Sequence, residues 1–345
     1  MKALLYTKPF QLEYVDYPDP EIKDDEVLVQ VKACSICGSD VHGYTGTTGR
    51  RIPPLIMGHE ASGIIAAAGS NVNSWKKGDH VTFDSTISCG TCYFCRQGRI
   101  NLCNNRRVLG VSCAEYKRNG AFADFVVVPQ QILYKLPEGL AFEKAALAEP
   151  LSVAVHAINR TPVNTGDTIV VIGAGMIGLL VIQALRSYGH SKIIAVDNDQ
   201  DRLDLALKIG ATKGLNSDKD DVTGEVFQMT DSMGADVVFE AVGITPTVAT
   251  GIKCLKKGGA ISLIGNLSPN VEIPLQAVVT RELSLYGSCI SAGEYPACLK
   301  MIAIGAVNME ILISAVAPLS EGAAWFRKLY EREPGLMKVV LIPGS

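Results

Sequence analysis

The sequence has no excess of charge of either sign. Its 32 lysines and arginines against 35 aspartates and glutamates give a net charge of −3 at pH 7. Proteins that bind a nucleic-acid backbone cluster positive charge to neutralise its phosphates, so this balance argues against a nucleic-acid partner. It gives equally little reason to expect a strongly basic or strongly acidic partner.

Long hydrophobic runs are also missing. No stretch reaches the about 18 uninterrupted apolar residues of a membrane-spanning helix. The N-terminal MKALLYTKPFQLEYVDYPDP meets charged residues and prolines too early to form the apolar core of a signal peptide. The sequence therefore predicts a cytoplasmic protein with no membrane partner, and it contains no internal repeat or low-complexity linker.

What the sequence does contain is enough apolar residues, 48% of 345, to fill two hydrophobic cores. Up to about residue 150, short β-branched runs such as EVLVQVKAC and GAFADFVVVP are broken by Gly, Pro and Asp, a pattern typical of a β-rich unit. From about residue 165, strand-like runs such as DTIVVIGAG and SKIIAVDND alternate with amphipathic helical segments. That alternation is typical of a parallel α/β sheet.

Four of the ten cysteines fall within CGTCYFCRQGRINLC. Their spacing is compatible with a metal site, a disulfide scaffold or a nucleic-acid module. The charge balance weakens the third alternative, and the cytoplasmic prediction weakens the second because disulfides are rare in reducing compartments. Four thiolates match the ligand count of a closed, structural zinc site. The sequence therefore predicts a structural zinc bound by Cys89, Cys92, Cys95 and Cys103.

A glycine motif follows the strand-like run IVVIG and opens a helix-like segment. In such a motif Gly173 permits the tight turn, Gly175 lets the backbone approach a pyrophosphate, and Gly178 lets the helix pack on the sheet. An ordinary glycine-rich turn is the alternative. Asp197 ends the next strand, where a carboxylate binds the adenosine ribose and repels a 2′-phosphate, so NAD is favoured over NADP. Arg202 is predicted to stack on the adenine, with accommodation of a phosphate and a solvated helix residue as the alternatives.

A second set of ligand-type side chains lies in CSICGSDVHG, GHEASG and EPLSVAVHA. Cys37, His59 and a carboxylate form a mixed set, and three protein ligands with one open position are the arrangement of a catalytic zinc. Taken singly, Cys34 and Cys37 fit a redox pair, His59 a hydrogen-bonded core residue, and Glu149 a helix cap. Their joint presence favours the metal.

These motifs together resemble the medium-chain zinc-dependent alcohol and polyol dehydrogenases over essentially the full length. The match includes GHE, the cysteine quartet, the placed glycine motif, and the EP at 149 and 150, where the sorbitol-type branch is similar. The resemblance implies an α/β protein. A GroES-like β-rich catalytic domain spans 1–150 and is completed by 289–345, and a Rossmann NAD-binding domain spans 151–288.

The same resemblance implies roles for individual residues. Ser39 takes the substrate proton and His42 is the outer relay histidine. Lys338 is placed against the cofactor pyrophosphate, with a surface lysine as the alternative. The catalytic zinc ligands correspond to Cys37, His59 and Glu60, with Glu149 near the metal through its water or as an alternating ligand.

The implied activity is transfer of a hydride from a secondary alcohol of a polyol, sugar or sugar acid to NAD, which leaves a ketone. Two zinc ions per chain and a homodimer or homotetramer are expected. The carboxylates Glu60 and Glu149 favour substrates with neighbouring hydroxyls over ethanol. Sorbitol dehydrogenases typically carry an Arg-Tyr pair where this chain reads SCIS at 288–291, which argues against sorbitol itself. The alternatives are a non-catalytic NAD-binding sensor or structural protein, and a simple-alcohol or threonine-type dehydrogenase of the same family.

Two smaller expectations complete the sequence analysis. Arg50 and Arg51, ahead of the GHE motif, are candidates to bind a substrate carboxylate or phosphate, with solvation as the alternative. The cysteines outside the two ligand sets are expected to be small core residues, namely Cys34, Cys113, Cys254, Cys289 and Cys298.

Overall fold

The computed structural model describes residues 1–113 and 116–344. The strands of this part of the chain are β1 (Lys2–Lys8), β2 (Gln11–Asp16), β3 (Glu26–Ser35), β4 (Leu55–Ile56), β5 (Glu60–Ala68), β6 (His80–Phe83), β7 (Thr86–Ile87), β8 (Arg107–Val108), β9 (Ser112–Cys113), β10 (Tyr116–Lys117), β11 (Phe125–Pro129), β12 (Leu133–Lys135), β13 (Thr168–Ile172), β14 (Lys192–Asp197), β15 (Lys213–Asn216), β16 (Ala235–Glu240), β17 (Leu255–Leu263), β18 (Ser284–Gly287), β19 (Ile313–Pro318) and β20 (Lys338–Ile342).

The α-helices of the described residues are α1 (Gly38–Tyr44), α2 (Tyr93–Arg96), α3 (Phe142–Ala146), α4 (Ala148–Arg160), α5 (Met176–Ser187), α6 (Gln200–Lys208), α7 (Val222–Met229), α8 (Thr245–Cys254), α9 (Leu275–Thr280), α10 (Tyr295–Ala303) and α11 (Gly322–Tyr330). Short 3₁₀ helices lie at Ile100–Leu102, Gln130–Ile132, Glu310–Leu312 and Leu319–Glu321.

The chain divides into two compact units. Unit 1 comprises Met1–Glu149, Tyr295–Ile304 and Met309–Ser345, and unit 2 comprises Pro150–Glu294 and Gly305–Asn308. The domain boundaries predicted from the sequence, after 150 and after 288, stay predictions.

Unit 1 is built on antiparallel pairing around β3. This strand pairs with β5, β11 and β20, and the seven-stranded sheet runs β12-β6-β5-β3-β20-β19 with β11 also on β3. Its alternating burial matches a sheet with one face on the core. The core holds the fully buried rings of Tyr6, Phe83, Phe122 and Phe326. Because β3 ends just before Cys37 and β5 begins just after His59, the pairing of these strands positions the mixed ligand set.

Unit 2 contains a six-stranded, all-parallel sheet in the order β15-β14-β13-β16-β17-β18. The central strand β13 is nearly continuous apolar sequence, TIVVI, as expected for a strand covered on both faces. The order changes direction at β13, so the carboxyl ends of β13 and β16 flank the topological switch point where α/β sheets bind ligands.

Burial tests the expectation that the cysteines outside the two ligand sets are core residues. Cys34, Cys254 and Cys298 are buried, as predicted, but Cys289 is only half-buried and is not a core residue. The side chain of Cys113 lies outside the described residues. Among the helices that the structure describes, none is both long and apolar enough to cross a membrane.

Candidate active site and metal centres

The cysteine quartet of unit 1 lies between β7 and β8, around α2. The four sulfurs all lie within 4.8 Å of one another. The Sγ of Cys95 lies 4.0 Å from that of Cys89 and 3.5 Å from that of Cys92. Four sulfurs at the corners of a tetrahedron around zinc stand about 3.8 Å apart, given a Zn–S bond of about 2.3 Å. The quartet therefore fits a closed zinc site.

The quartet's immediate surroundings stabilise thiolate sulfur with backbone amides rather than with charged side chains. The Cys92 amide donates to Cys89 Sγ at 3.4 Å, and the Cys89 amide donates to Cys103 Sγ at 3.3 Å. Hydrogen bonds from the Thr91 amide and hydroxyl lower the pKa of Cys89 to about 5. Desolvation and the neighbouring thiols raise the pKa of Cys95 to about 11. Full ionisation of all four thiols therefore needs a bound cation.

The mixed ligand set is assembled by two neighbouring strands. Cys37 is the N-cap residue of α1, directly after β3, and His59 precedes β5. The antiparallel register pairs Ser35 with Glu60 across these strands. Ligand atoms of Cys37, His59 and Glu60 all lie within 4.8 Å of one another. A sulfur, an imidazole nitrogen and a carboxylate oxygen are three ligand types that zinc accepts, so the set fits a three-ligand zinc site.

Glu149 is not a member of this cluster of ligand atoms among the described residues. It lies in the first turn of α4 and is half-buried. Burial raises its pKa to about 7, and the negative charges of Glu60 and Asp84 raise it further, while His59 and Lys338 partly oppose that rise. The carboxyl group therefore belongs to the same electrostatic environment as the mixed set without sharing its ligand atoms.

A buried carboxylate on α1 forms an ion pair with the ligand histidine. Asp40 is fully buried on α1, with Oδ2 at 3.3 Å from His59 Nδ1. Burial opposes ionisation of Asp40, but the charges of His59 and Arg51 lower its pKa to about 2. Burial alone would lower the pKa of His59, yet the charges of Asp40 and Cys37 raise it well above its usual range. A carboxylate behind a ligand imidazole fixes the ring's orientation.

Lys338 is buried and paired with a residue of the mixed ligand set. Its side chain is 3% exposed, and its Nζ donates to both carboxylate oxygens of Glu60, at 2.8 and 3.1 Å, and to the Ile36 carbonyl at 3.1 Å. The alternative of a surface lysine is therefore wrong, since Lys338 is a buried counter-ion of Glu60, and the contact with a cofactor pyrophosphate stays a prediction. The Ser35 hydroxyl also hydrogen-bonds to Glu60.

The proposed relay residues share helix α1. The Ser39 hydroxyl lies 3.3 Å from Cys37 Sγ, and His42 is exposed in the last turn of the same helix. Arg51 is predicted to bind a substrate carboxylate or phosphate or else to be solvated, but it is only 6% exposed and pairs with Asp40 at 2.8 Å. Its charge is therefore already matched inside unit 1. Arg50 is exposed.

The glycine motif of unit 2 has the geometry of a dinucleotide cradle. Gly173 has φ +90°, and a Cβ on Gly178 would lie 1.8 Å from the Gly173 carbonyl oxygen, so both positions exclude larger residues. A Cβ on Gly175 would meet nothing within 4 Å, which leaves open space at the N-terminus of α5. Backbone amides at a helix N-terminus bind phosphate, so the loop fits a pyrophosphate.

Asp197 ends β14 beside this loop. Its carboxylate accepts the Ala174 amide at 2.7 Å and the Asp199 amide at 3.0 Å. Arg202 lies 3.9 Å from Asp197 and 3.6 Å from Asp199, and it is partly exposed. A carboxylate anchored at the end of the second strand is placed as the ribose-binding role requires.

Comparisons with known proteins agree with this geometry. Two family models match the chain, the alcohol dehydrogenase GroES-like domain over residues 23–138 and the zinc-binding dehydrogenase over residues 177–303. Sorbitol dehydrogenase of Bacillus subtilis is 34% identical, covering 100% of this chain and 98% of that protein. D-xylulose reductase A of Aspergillus niger is 36% identical over 92% of this chain and 90% of its own length. A solved zinc-binding dehydrogenase of Sinorhizobium meliloti 1021, bound to NADP, matches with a TM-score of 0.90 and 32% identity over 99% of both chains.

A GroES-like unit with two zinc-type ligand sets, together with a dinucleotide-binding parallel sheet, defines a zinc-dependent oxidoreductase that uses a nicotinamide cofactor. The chain belongs to the medium-chain, zinc-dependent alcohol and polyol dehydrogenase family. The predicted family, fold class and enzyme class are therefore confirmed.

Proposed function

We propose that this enzyme oxidises a secondary hydroxyl of a polyol, sugar or sugar acid to a ketone, with NAD as acceptor. The observation that carries the proposal is the meeting of Cys37, His59 and Glu60, with the Ser39 hydroxyl beside Cys37. Relatives named as a sorbitol dehydrogenase and a D-xylulose reductase support this substrate class.

Different residues of the chain would bind the metal, transfer the proton and support the metal ligands. Cys37, His59 and Glu60 would hold the catalytic zinc, with Glu149 close by. Zinc, when bound, supplies a Lewis acid that makes a substrate hydroxyl more acidic, and NAD supplies the hydride acceptor. Ser39 takes the hydroxyl proton, and His42, exposed on the same helix, passes it toward solvent. Asp40 holds the His59 ring and Lys338 holds Glu60.

A substrate panel tests the proposal. Initial rates of NADH formation at 340 nm would be compared for ethanol, sorbitol, xylitol, a hexonate and a polyol phosphate. We expect a polyol or a hexonate to give the highest kcat/KM. Ethanol as the best substrate would overturn the substrate class, and no oxidation of any alcohol by zinc-replete protein would favour the non-catalytic alternative.

The preference for NAD is proposed from Asp197. Its carboxylate is fixed by the Ala174 and Asp199 amides. A fixed carboxylate at this point would bind ribose hydroxyls and repel a 2′-phosphate. Asp197→Ser should raise the kcat/KM ratio of NADP to NAD by about tenfold or more, since the repelling charge is lost. Better use of NADP than of NAD by the unaltered enzyme would refute the role of Asp197.

We also propose two zinc ions per chain, a cytoplasmic location and a homodimer or homotetramer. The two ligand sets share no residue, and the cysteines whose side chains are described carry free thiols, as in a reducing compartment. Metal analysis, cell fractionation and light scattering test the three statements. One zinc equivalent in fully active protein, a secreted protein, or a monomer would each refute the corresponding statement.

A further inference from the structure

Arg51 makes more contacts in unit 1 than charge pairing alone requires. Its Nε and Nη2 both donate to Asp40 Oδ1, at 3.2 and 2.8 Å. Its Nη1 donates to the Arg50 carbonyl at 3.3 Å, and Nη2 also donates to the Ser39 hydroxyl at 3.3 Å. One guanidinium therefore joins the carboxylate behind His59 to the hydroxyl proposed as the proton acceptor.

The sequence of α1 makes room for this side chain. A Cβ added to Gly43 would lie 2.2 Å from Arg51 Cγ, so only glycine lets the arginine stem cross the helix at this point. The backbone of Gly43 is helical, which any residue can adopt. Space for Arg51, rather than backbone freedom, therefore explains the glycine.

The direction of the Ser39 proton follows from the chemistry of the two groups. A guanidinium has donors and no acceptor, whereas a hydroxyl has one proton and two lone pairs. In its contact with Arg51, Ser39 can only accept. Its single proton must therefore point away from Arg51, and Cys37 Sγ lies 3.3 Å from Ser39 Oγ. One lone pair is left to accept the hydrogen bond of a substrate hydroxyl, and when Ser39 takes that proton it gives up its own, which His42 passes toward solvent.

We propose that Arg51 is a positioning residue that orients the Ser39 hydroxyl for proton transfer. The inference rests on the proposed function, because it assigns Ser39 the first step of the relay. The competing explanation is structural: Arg51 would act through Asp40 and His59 and merely keep the metal site intact. The two explanations differ in whether the effect of Arg51 needs the Ser39 hydroxyl.

A double-mutant cycle separates them. Arg51→Lys keeps a positive charge near Asp40 but removes the planar fork that reaches two acceptors at once. It would be combined with Ser39→Ala, and kcat/KM on the best polyol, zinc content and Tm would be measured for all four proteins. Arg118→Lys is the matched control, since Arg118 pairs with Glu26 at 2.7 Å and also donates to the Val127 carbonyl.

We expect Arg51→Lys to lower kcat/KM by about ten- to a hundredfold with Ser39 present and by less than threefold in the Ser39→Ala background. Zinc content should stay at the unaltered value. Equal losses in both backgrounds, a fall in zinc content, or no loss in either background would overturn the proposal.

A second variant covers the case in which Arg51→Lys does not fold. Gly43→Ala leaves every charge in place but displaces the Arg51 stem. Gly43→Ala should lower kcat/KM when Ser39 is present and should have little effect in the Ser39→Ala background. Full activity of Gly43→Ala would contradict the proposal.

Neutron diffraction of deuterated crystals provides a readout independent of activity. An Nη2 deuteron of Arg51 should point at Ser39 Oγ, with the Ser39 deuteron directed away from Arg51. An Nη2 deuteron directed elsewhere would overturn the inference. If the enzyme oxidised no alcohol, the proposed function would fail, and the neutron map would still decide what Arg51 does to Ser39.

Discussion

The two ligand sets of unit 1 balance their charges in different ways. The quartet is contributed by one segment of fifteen residues, 89–103, and its described hydrogen bonds come from backbone amides and neighbouring polar groups. The mixed set comes from separate strands, and its buried acids are matched by buried cations: Asp40 by Arg51 and Glu60 by Lys338. One set depends on its metal, whereas the other also depends on the surrounding protein.

This difference follows from what each site does. A closed set of four thiolates needs only a cation to become stable, and its folding is coupled to metal binding. A site that keeps a position open for substrate must hold its ligands in place without the help of a fourth protein ligand. The ion pairs around Asp40 and Glu60 supply that support, since they fix the two ligand side chains from behind.

The largest expected effect comes from breaking the quartet. Cys92→Ser removes one of the four sulfurs that hold the loop between β7 and β8 together. We expect loss of one zinc equivalent and a Tm lower by on the order of 10 °C, because folding around a closed four-thiolate site is coupled to metal binding. Calorimetry and metal analysis measure both, and an unchanged Tm would show that the quartet is dispensable for folding.

The reverse experiment is Cys37→Ser. It removes one ligand of the mixed set while Asp40, Arg51 and Lys338 keep their pairs. Turnover should fall by about a thousandfold or more, because the Lewis acid is lost. One zinc equivalent should remain, with a Tm close to that of the unaltered enzyme. A variant that lost both zinc ions would mean that the two sites are coupled, against the comparison.

Lys338→Met tests whether the mixed site depends on its counter-ions. In zinc-free enzyme Glu60, which is 1% exposed, would lose its buried counter-ion and keep only the Ser35 hydrogen bond. Breaking a buried pair from one side costs about 3 kcal/mol of unfolding free energy. Denaturant unfolding measures the loss. The double variant Lys338→Met/Glu60→Gln is the control, since removing the charge as well should recover part of the stability, and no recovery would assign the loss to packing of the lysine stem.

The quartet and the glycine motif could be predicted from the sequence because both are local. Every ligand of the quartet lies within one short segment, and Gly173, Gly175 and Gly178 follow one strand. The predicted fold class is confirmed. Nothing beyond short-range spacing was needed for these features.

The counter-ions could not be predicted in the same way. Lys338 and Glu60 are 278 positions apart, and a lone lysine gives no sign of its partner. Arg51 was expected to be solvated or to bind substrate, because arginine is rarely buried. Two features of the sequence could have indicated a counter-ion. Asp40 lies between Ser39 and His42, and a buried acid beside a ligand histidine needs a cation as its partner. Gly43 leaves space for the side chain of that cation.

The smallest expected effect comes from Ser35→Ala. The Ser35 hydroxyl donates to the Glu60 carboxylate, and Lys338 still neutralises that carboxylate after the change. A hydrogen bond to a charged group contributes about 1.5 kcal/mol or more, whereas one between neutral groups contributes about 1 kcal/mol. Ser62→Ala on the adjacent β5 is the matched control, because its hydroxyl is equally buried and donates to the neutral Phe142 carbonyl at 2.6 Å. Denaturant unfolding should therefore show a larger loss for Ser35→Ala than for Ser62→Ala. Equal losses would mean that the Glu60 carboxylate makes no stronger hydrogen bond than a neutral carbonyl does, which would count against a mixed site supported by charged groups.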